Sequence, residues 1–317
     1  MGRYVARRLL LVIPVMLIVS LLSFSLILLV PGDPAVTIAG QSATREQIAA
    51  IRDQLGLDRP VVVQYISWLG HALTGDFGNS LSTGQPVVGS ILDRLPVMLS
   101  LAAGALVIAV ILGFPAGVAA AVRRDGVVDR LLGVGAATGL ALPSYFVGML
   151  LIILVALNLG WLPPTGYTPI ATDPVDWLAH IVLPCIALGL VPAAVLARQL
   201  RGAMVTALDQ DYVRTADAKG LLRQKVVYKH ALKNAAIAPL TALGTQFALV
   251  VGGSVVVEQV FGIPGLGALA INAVQNRDIP LIQGIVVFTA LMVQAINLLV
   301  DISYGWLNPR VRVAVAR

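Results

Sequence analysis

The chain has 317 residues, of which 58% are hydrophobic and 12% charged, with a mean hydropathy of +0.88. A soluble domain carries about 25% charged residues, so an ordinary soluble fold is excluded and the bilayer becomes the expected solvent. The net charge of +6 is no sign of a nucleic-acid partner until its location is known, and the single Cys185 excludes an internal disulfide framework and shows no metal-ligand spacing.

Six charge-free intervals are long enough to cross hydrocarbon, which takes about 20 helical residues. The first lies between Arg8 and Asp33, and the second holds Met98–Val122. Between Arg8 and Asp33 the apolar run exceeds a signal-peptide core, and no A-x-A-like site comes after it, so a retained anchor helix is expected. The third interval starts at Leu131. Its second half, LGWLPPTGYTPIAT, is rich in Pro and Gly, so a single helix is expected to end near Leu157 with a loop after it. Further spans are expected between Asp176 and Arg198, between Lys233 and Glu258, and between Asp278 and Asp301.

Arg and Lys in alternate loops set the orientation. Three lie at the N-terminus, three in the second loop, eight in the fourth and three at the C-terminus, so seventeen of 22 fall on one side. The other side has four in the first loop, none in the third, and Arg277 in the fifth. Both termini and the basic fourth loop are expected in the cytosol. Topology thus accounts for the positive charge, and no nucleic-acid partner is expected.

The expected fold is an all-α integral membrane protein with six transmembrane helices, N-in and C-in. Residues 1–30 form the anchor helix, 31–95 a small extracytoplasmic segment, and 96–317 the core. Within 31–95, Thr44 and Gln47 make a capping box for a helix with Ile48, Ile51 and Leu55 on one face, stopped by Gly56 and Pro60. A second apolar cluster, Val61–Leu73 with Tyr65 and Trp68, suits packing on that helix or rest at the membrane interface. The segment reads equally as a docking surface or cap and as a folded connector.

The spans are rich in small residues and breakers, including Gly104, Gly113, Gly117, Pro143, Pro184, Gly189 and Pro192. Such residues allow close helix contact and bends. No ionisable residue falls at mid-depth in any span, which argues against an ion-coupled carrier.

Two irregular stretches stand out. The fifth loop carries Phe261-Gly262-Ile263-Pro264-Gly265-Leu266-Gly267, apolar but too broken to span, and then the amphipathic run Leu269–Val274. It reads as a candidate external gate or as an interfacial loop. The fourth loop, Asp209–Leu240, holds all four lysines of the chain, Lys219, Lys225, Lys229 and Lys233. A helix from Asp209 to Lys219 puts Val213, Ala216 and Gly220 on one small face with Arg214 beside it. Gly220 then breaks the helix, and Val226, Val227, Leu232 and Ala235 begin another. Such a helix suits a groove on a partner protein, and equally the surface of an anionic bilayer.

This loop resembles the cytosolic E-A-A motif of binding-protein-dependent ABC importer permeases. Anchored on Gly220, the general pattern is matched at Ala216, Gly220 and Leu232. Arg214–Leu221 with His230–Ala235 is closer to the dipeptide/oligopeptide/nickel subgroup. So are LVPGDPA (Leu29–Ala35), Leu55–Leu69 with GDFGNS (Gly75–Ser80), EQVFGIPGLG (Glu258–Gly267) and Asp301–Arg312, the last with Asn308 where an aspartate is expected.

The resemblance implies a permease subunit of the bacterial cytoplasmic membrane, moving di- or oligopeptides by alternating access. Nickel chelates or other small solutes are alternative cargoes. It further implies a second homologous permease, two ATP-binding cassette ATPases and an extracytoplasmic substrate-binding protein as partners, besides the lipid bilayer. The coupling helix would span about 209–222, with Val213, Arg214, Thr215, Ala216, Asp217, Ala218, Lys219, Gly220 and Leu221 at the ATPase. The chain lacks G-x-x-x-x-G-K-[ST], so ATP and Mg are expected on partner subunits, with no catalytic, cofactor or metal site here. A stand-alone channel or scaffold is the alternative from another class, and a secondary carrier a third.

Overall fold

The computed structural model describes residues 2–29, isolated positions between 36 and 52, and residues 58–307. The helix expected around Ile48, Ile51 and Leu55, most of the Leu29–Ala35 motif, and Asn308 lie outside the described residues. The chain divides into two compact units, one built on Pro96–Ala268 and the other on the described part of Ala6–Leu95 with Leu269–Gln294.

In chain order the helices are α1 (Gly2–Leu29), α2 (Val61–Leu73), α3 (Val87–Leu92), α4 (Leu95–Val122), α5 (Val127–Ala141) and α6 (Ser144–Leu151). A π-helical segment, Ile152–Asn158, continues α6. Then come α7 (Pro174–Leu208), α8 (Asp211–Ala218), α9 (Arg223–Lys225), a second π-helical turn (Val226–Ala231), α10 (Leu232–Ala235), α11 (Ile237–Val260), α12 (Leu266–Gln275) and α13 (Ile279–Leu307). Among the described residues the only β pairing is an isolated bridge between Asn79 and Pro86.

Among the described residues, five stretches are long and apolar enough to cross a membrane: Arg8–Leu26, Val87–Val122, Pro174–Leu208, Ala242–Val260 and Ile279–Val300. The third expected span departs from a single helix. α5 and the helix starting at Ser144 diverge by 101°, so they count as one span only as a bent pair. Pro143 is the cause. Its ring disfavours helical geometry at the preceding residue, and Leu142 is extended at φ −83°, ψ 126°. Apolarity alone carries no trace of such a bend. By contrast Pro184 and Pro192 stay inside α7, which runs unbroken to Leu208. At about 1.5 Å per residue its 35 residues reach roughly 50 Å, so its last turns, with Arg198 and Arg201, extend past a ~30 Å hydrocarbon layer.

Inside the first unit, small residues let backbones approach. A Cβ at Gly113 would lie 2.5 Å from the Ala193 carbonyl oxygen, and one at Gly189 would lie 2.7 Å from that of Ala105. α4 and α7 therefore pack at backbone distance, the arrangement expected where dispersion rather than solvent drives helices together.

The second unit is tied by one carboxylate. Asp278, fully buried, accepts from Ser80 Oγ at 2.5 Å, Ser82 Oγ at 2.9 Å, and the backbone N–H groups of Leu81 at 3.1 Å and Ser82 at 3.2 Å. Burial pushes the Asp278 carboxyl up, but these donors together hold it below the ordinary aspartate value.

Candidate functional site

The basic loop begins where α7 ends at Asp209. Gln210 is extended, α8 runs from Asp211 to Ala218, and Asp211 sits in its first turn, where a carboxylate meets the positive helix end. Gly220 closes α8 at φ +73°. Its N–H donates to the Asp217 carbonyl at 2.9 Å, and that of Leu221 donates to the Ala216 carbonyl at 3.3 Å. This paired Schellman closure needs a left-handed residue, which explains a glycine here.

The face of α8 expected to meet a partner turns inward instead. Val213 and Ala216 are buried against Val226, with Leu208 and Leu221 around them. An apolar pair at i and i+3 finds the nearest apolar surface, and the chain itself supplies one a short way along at Val226. What α8 and its cap present outward is mostly polar: Asp211, Arg214, Thr215, Asp217 and Lys219 are exposed, with Tyr212, Ala218 and Gly220. Arg214 stands 77% exposed at 3.6 Å from Asp211, and Arg223 pairs with Asp217 at 3.2 Å. Leu222 and Tyr228 add exposed apolar surface nearby.

The packing continues into the membrane helices. Val227, Ala231 and Ala235 join Val118 and Ala121 of α4 and Leu200, Met204 and Ala207 of α7 in one buried cluster. Val226 and Val227 sit in the π turn, so adjacent residues hold α8 on one side and the spans on the other. Two ion pairs brace the same end. Arg201 grips Asp129 through Nε and Nη2, at 2.5 and 2.6 Å, and Arg124 reaches Asp209 at 3.2 Å. In the sequence Arg201 counts only as a topology charge, and Asp129 carries no assigned role. Two acidic residues, Asp125 and Asp129, among Arg123, Arg124 and Arg130 were the available signal.

The candidate gate loop is built on a second Schellman closure. Gly262, at φ +61°, donates to the Gln259 carbonyl at 3.2 Å, and Ile263 N–H to the Glu258 carbonyl at 2.8 Å. Phe261, Ile263, Gly265, Leu266 and Gly267 are buried, while Gly262 and Pro264 are exposed. Phe261 lies against Gly148, where a Cβ would meet its ring at 2.9 Å, and its carbonyl accepts from Gly166 N–H at 2.8 Å.

At the centre of this loop is Glu258, fully buried. Its carboxylate accepts from Ser254 Oγ at 2.7 Å and from Ala268 N–H at 2.9 Å, which lies in the first turn of α12. Gly265 and Gly267 lie so close over it that a Cβ on Gly265 would collide with the carboxylate, and one on Gly267 would lie 2.9 Å from Oε2. In the sequence Glu258 is a mere span boundary. Its position at the head of the broken apolar loop E-Q-V-F-G-I-P-G was the overlooked clue.

Residues 113–313 match the family model of the binding-protein-dependent transport system inner membrane component, and residues 1–102 match the N-terminal model of such membrane components. The chain belongs to this family.

This permease is 45% identical over 300 residues to a putative peptide transport system permease protein of Brucella abortus, covering 95% of this chain and 96% of that one. A probable peptide ABC transporter permease of Sinorhizobium fredii is 42% identical over 312 residues, covering 98% and 100%. A glutathione transport system permease protein of Salmonella typhimurium is 44% identical over 312 residues, covering 98% and 99%. In fold, the permease is similar to a chain of the inward-facing MetNI methionine ABC transporter, with a TM-score of 0.56 at 17% identity over 69% of this chain and 96% of that one. It is thus a helical, multi-pass inner-membrane transport component rather than an enzyme.

Proposed function

We infer that this permease forms half of a paired membrane channel that moves peptides into the cytosol by alternating access. Its similarity over nearly the full length to permeases named for peptide and glutathione transport carries the reading. In this reading six spans cross the membrane, counting the bent pair as one, with both termini cytosolic. Residues 1–30 anchor, 31–95 lie outside, and 96–317 form the core. A homologous permease completes the pathway, a substrate-binding protein delivers the peptide, and two ATPases hold the ATP and Mg, a division supported by the lack of G-x-x-x-x-G-K-[ST] in this chain.

The coupling helix is α8. Its exposed Arg214, Thr215, Asp217, Ala218, Lys219 and Gly220 meet the ATPase, while Val213, Ala216 and Leu221 transmit the push through Val226 to α4 and α7. Phe261–Gly267 forms the external gate. The test is ATP-dependent uptake of labelled di- and oligopeptides into proteoliposomes holding the full complex and its binding protein. Uptake by this chain alone, without ATPase, would establish a stand-alone channel instead.

A further inference from the structure

We propose that α2 is an interfacial anchor whose outer stripe, Val62, Ile66, Leu69 and Leu73, lies in the acyl-chain boundary of the extracytoplasmic leaflet. The occupant of this surface is lipid, not a protein partner. The inference rests on the membrane reading of the chain and not on its cargo.

Three faces of α2 carry the argument. Residues 62, 66, 69 and 73 recur at helical spacing on one side. Val62, Ile66 and Leu73 are 67%, 62% and 81% exposed, and Leu69 is half-buried. Gln64, Ser67 and His71 form a polar line on the opposite side, with His71 Nδ1 at 2.8 Å from the Ser67 carbonyl. Between these faces, Tyr65 and Trp68 turn toward α1, with ring centroids 5.6 and 5.8 Å from Phe24. Exposed apolar residues opposite a polar line are the pattern of a helix lying at a membrane surface. Aromatic rings with one polar end favour the same zone.

Depth decides between lipid and water. Tyr65 Oη lies 2.9 Å from Ser20 Oγ, and Ser20 sits six residues inside the apolar stretch Arg8–Leu26. Six helical residues amount to about 9 Å, so the Tyr65 ring reaches well below the end of that stretch. Its helix is therefore held at the headgroup boundary rather than above it. Charge fits too: Val61–Leu73 contains no Asp, Glu, Lys or Arg, whereas Asp58 and Arg59 precede it and Asp76 comes after. A docking surface for a transient partner such as the binding protein would leave the apolar stripe in water whenever that partner departed.

The experiment places a nitroxide on single cysteines at positions 62, 66, 67, 69, 71 and 73 of the full chain, in a Cys185→Ala background, with the complex in lipid nanodiscs. Collisions with oxygen, enriched in acyl chains, are compared with collisions with water-soluble chromium oxalate. The ratio should favour oxygen at 62, 66, 69 and 73 and invert at 67 and 71, unchanged when the binding protein is added. Chromium oxalate collisions at 66 and 73 equal to those at 67 would overturn the proposal by placing the stripe in water. Protection of 66 and 73 from both reagents would overturn it by showing a protein cover. Peptide uptake, measured separately, reports on the cargo and not on this helix.

Discussion

Two helices of this permease end in the same way, yet the chain beyond each end is put to opposite use. α8 closes on Gly220 and α11 on Gly262, each with the same pair of backbone bonds. At Gly220 a Cβ would meet nothing within 4 Å, and the surrounding side chains are charged and exposed. After Gly262 the chain folds back over Glu258, and Gly265 and Gly267 leave no room above its carboxylate. One closure displays a surface, and the other seals a buried carboxyl group. A Gly-capped helix end specifies a turn, while the residues after it specify whether that turn serves a partner or the interior.

Breaking the sealed closure should cost most. Glu258→Leu leaves the Ala268 N–H without its acceptor in a buried site and removes the shorter of the two bonds of Ser254 Oγ, which keeps the Val251 carbonyl at 3.2 Å, a loss of about 2 kcal/mol or more. Gly265→Val forces a side chain into the carboxylate. Thermal unfolding of the purified complex should show a lower Tm for both, with poor recovery. Wild-type Tm for Glu258→Leu would contradict the sealing role.

At the displayed closure the loss should fall on transport rather than on folding. Gly220→Trp places a side chain in open space at a left-handed backbone, a strain on the order of 1 kcal/mol. Membrane insertion should persist while ATP-driven uptake is lost. Normal uptake and ATPase co-purification in this variant would defeat the coupling assignment.

A milder probe of the same surface is Arg214→Glu. The exposed pair with Asp211 contributes little, so stability should change by no more than about 0.5 kcal/mol while uptake drops. An unaltered uptake rate would move the docking surface elsewhere on the loop.

The smallest effect concerns pH. Asp278 has its folded value held down, so its contribution is present above the unfolded aspartate value and lost as pH falls through the folded one. Removing donors with Ser80→Ala and Ser82→Ala should raise the acid-unfolding midpoint, read by intrinsic fluorescence. A midpoint unmoved by both changes would show that these hydroxyls do not stabilise the carboxylate.

Much of the fold was legible in the chain alone. Long uncharged runs have no alternative to helices in hydrocarbon, so charge spacing located the apolar spans. Gly220 marked a helix end because few other residues tolerate that backbone. Less visible was the third span, because spacing did not distinguish Pro143, which breaks it, from Pro184 and Pro192, which stay inside one helix.

By itself, then, the sequence determined the class of solvent, the helix end at Gly220, and, through its ordered motifs, the resemblance to importer permeases. Only the tertiary structure decided which way side chains face. Val213 and Ala216 share a face whether that face meets an ATPase or Val226, since periodicity defines a surface without naming what covers it. Glu258 and Asp278 read as loop charges until the fold supplied donors from residues as distant as Ser80. Burial of a charge depends on partners brought together in space, and spacing along a chain does not encode that directly.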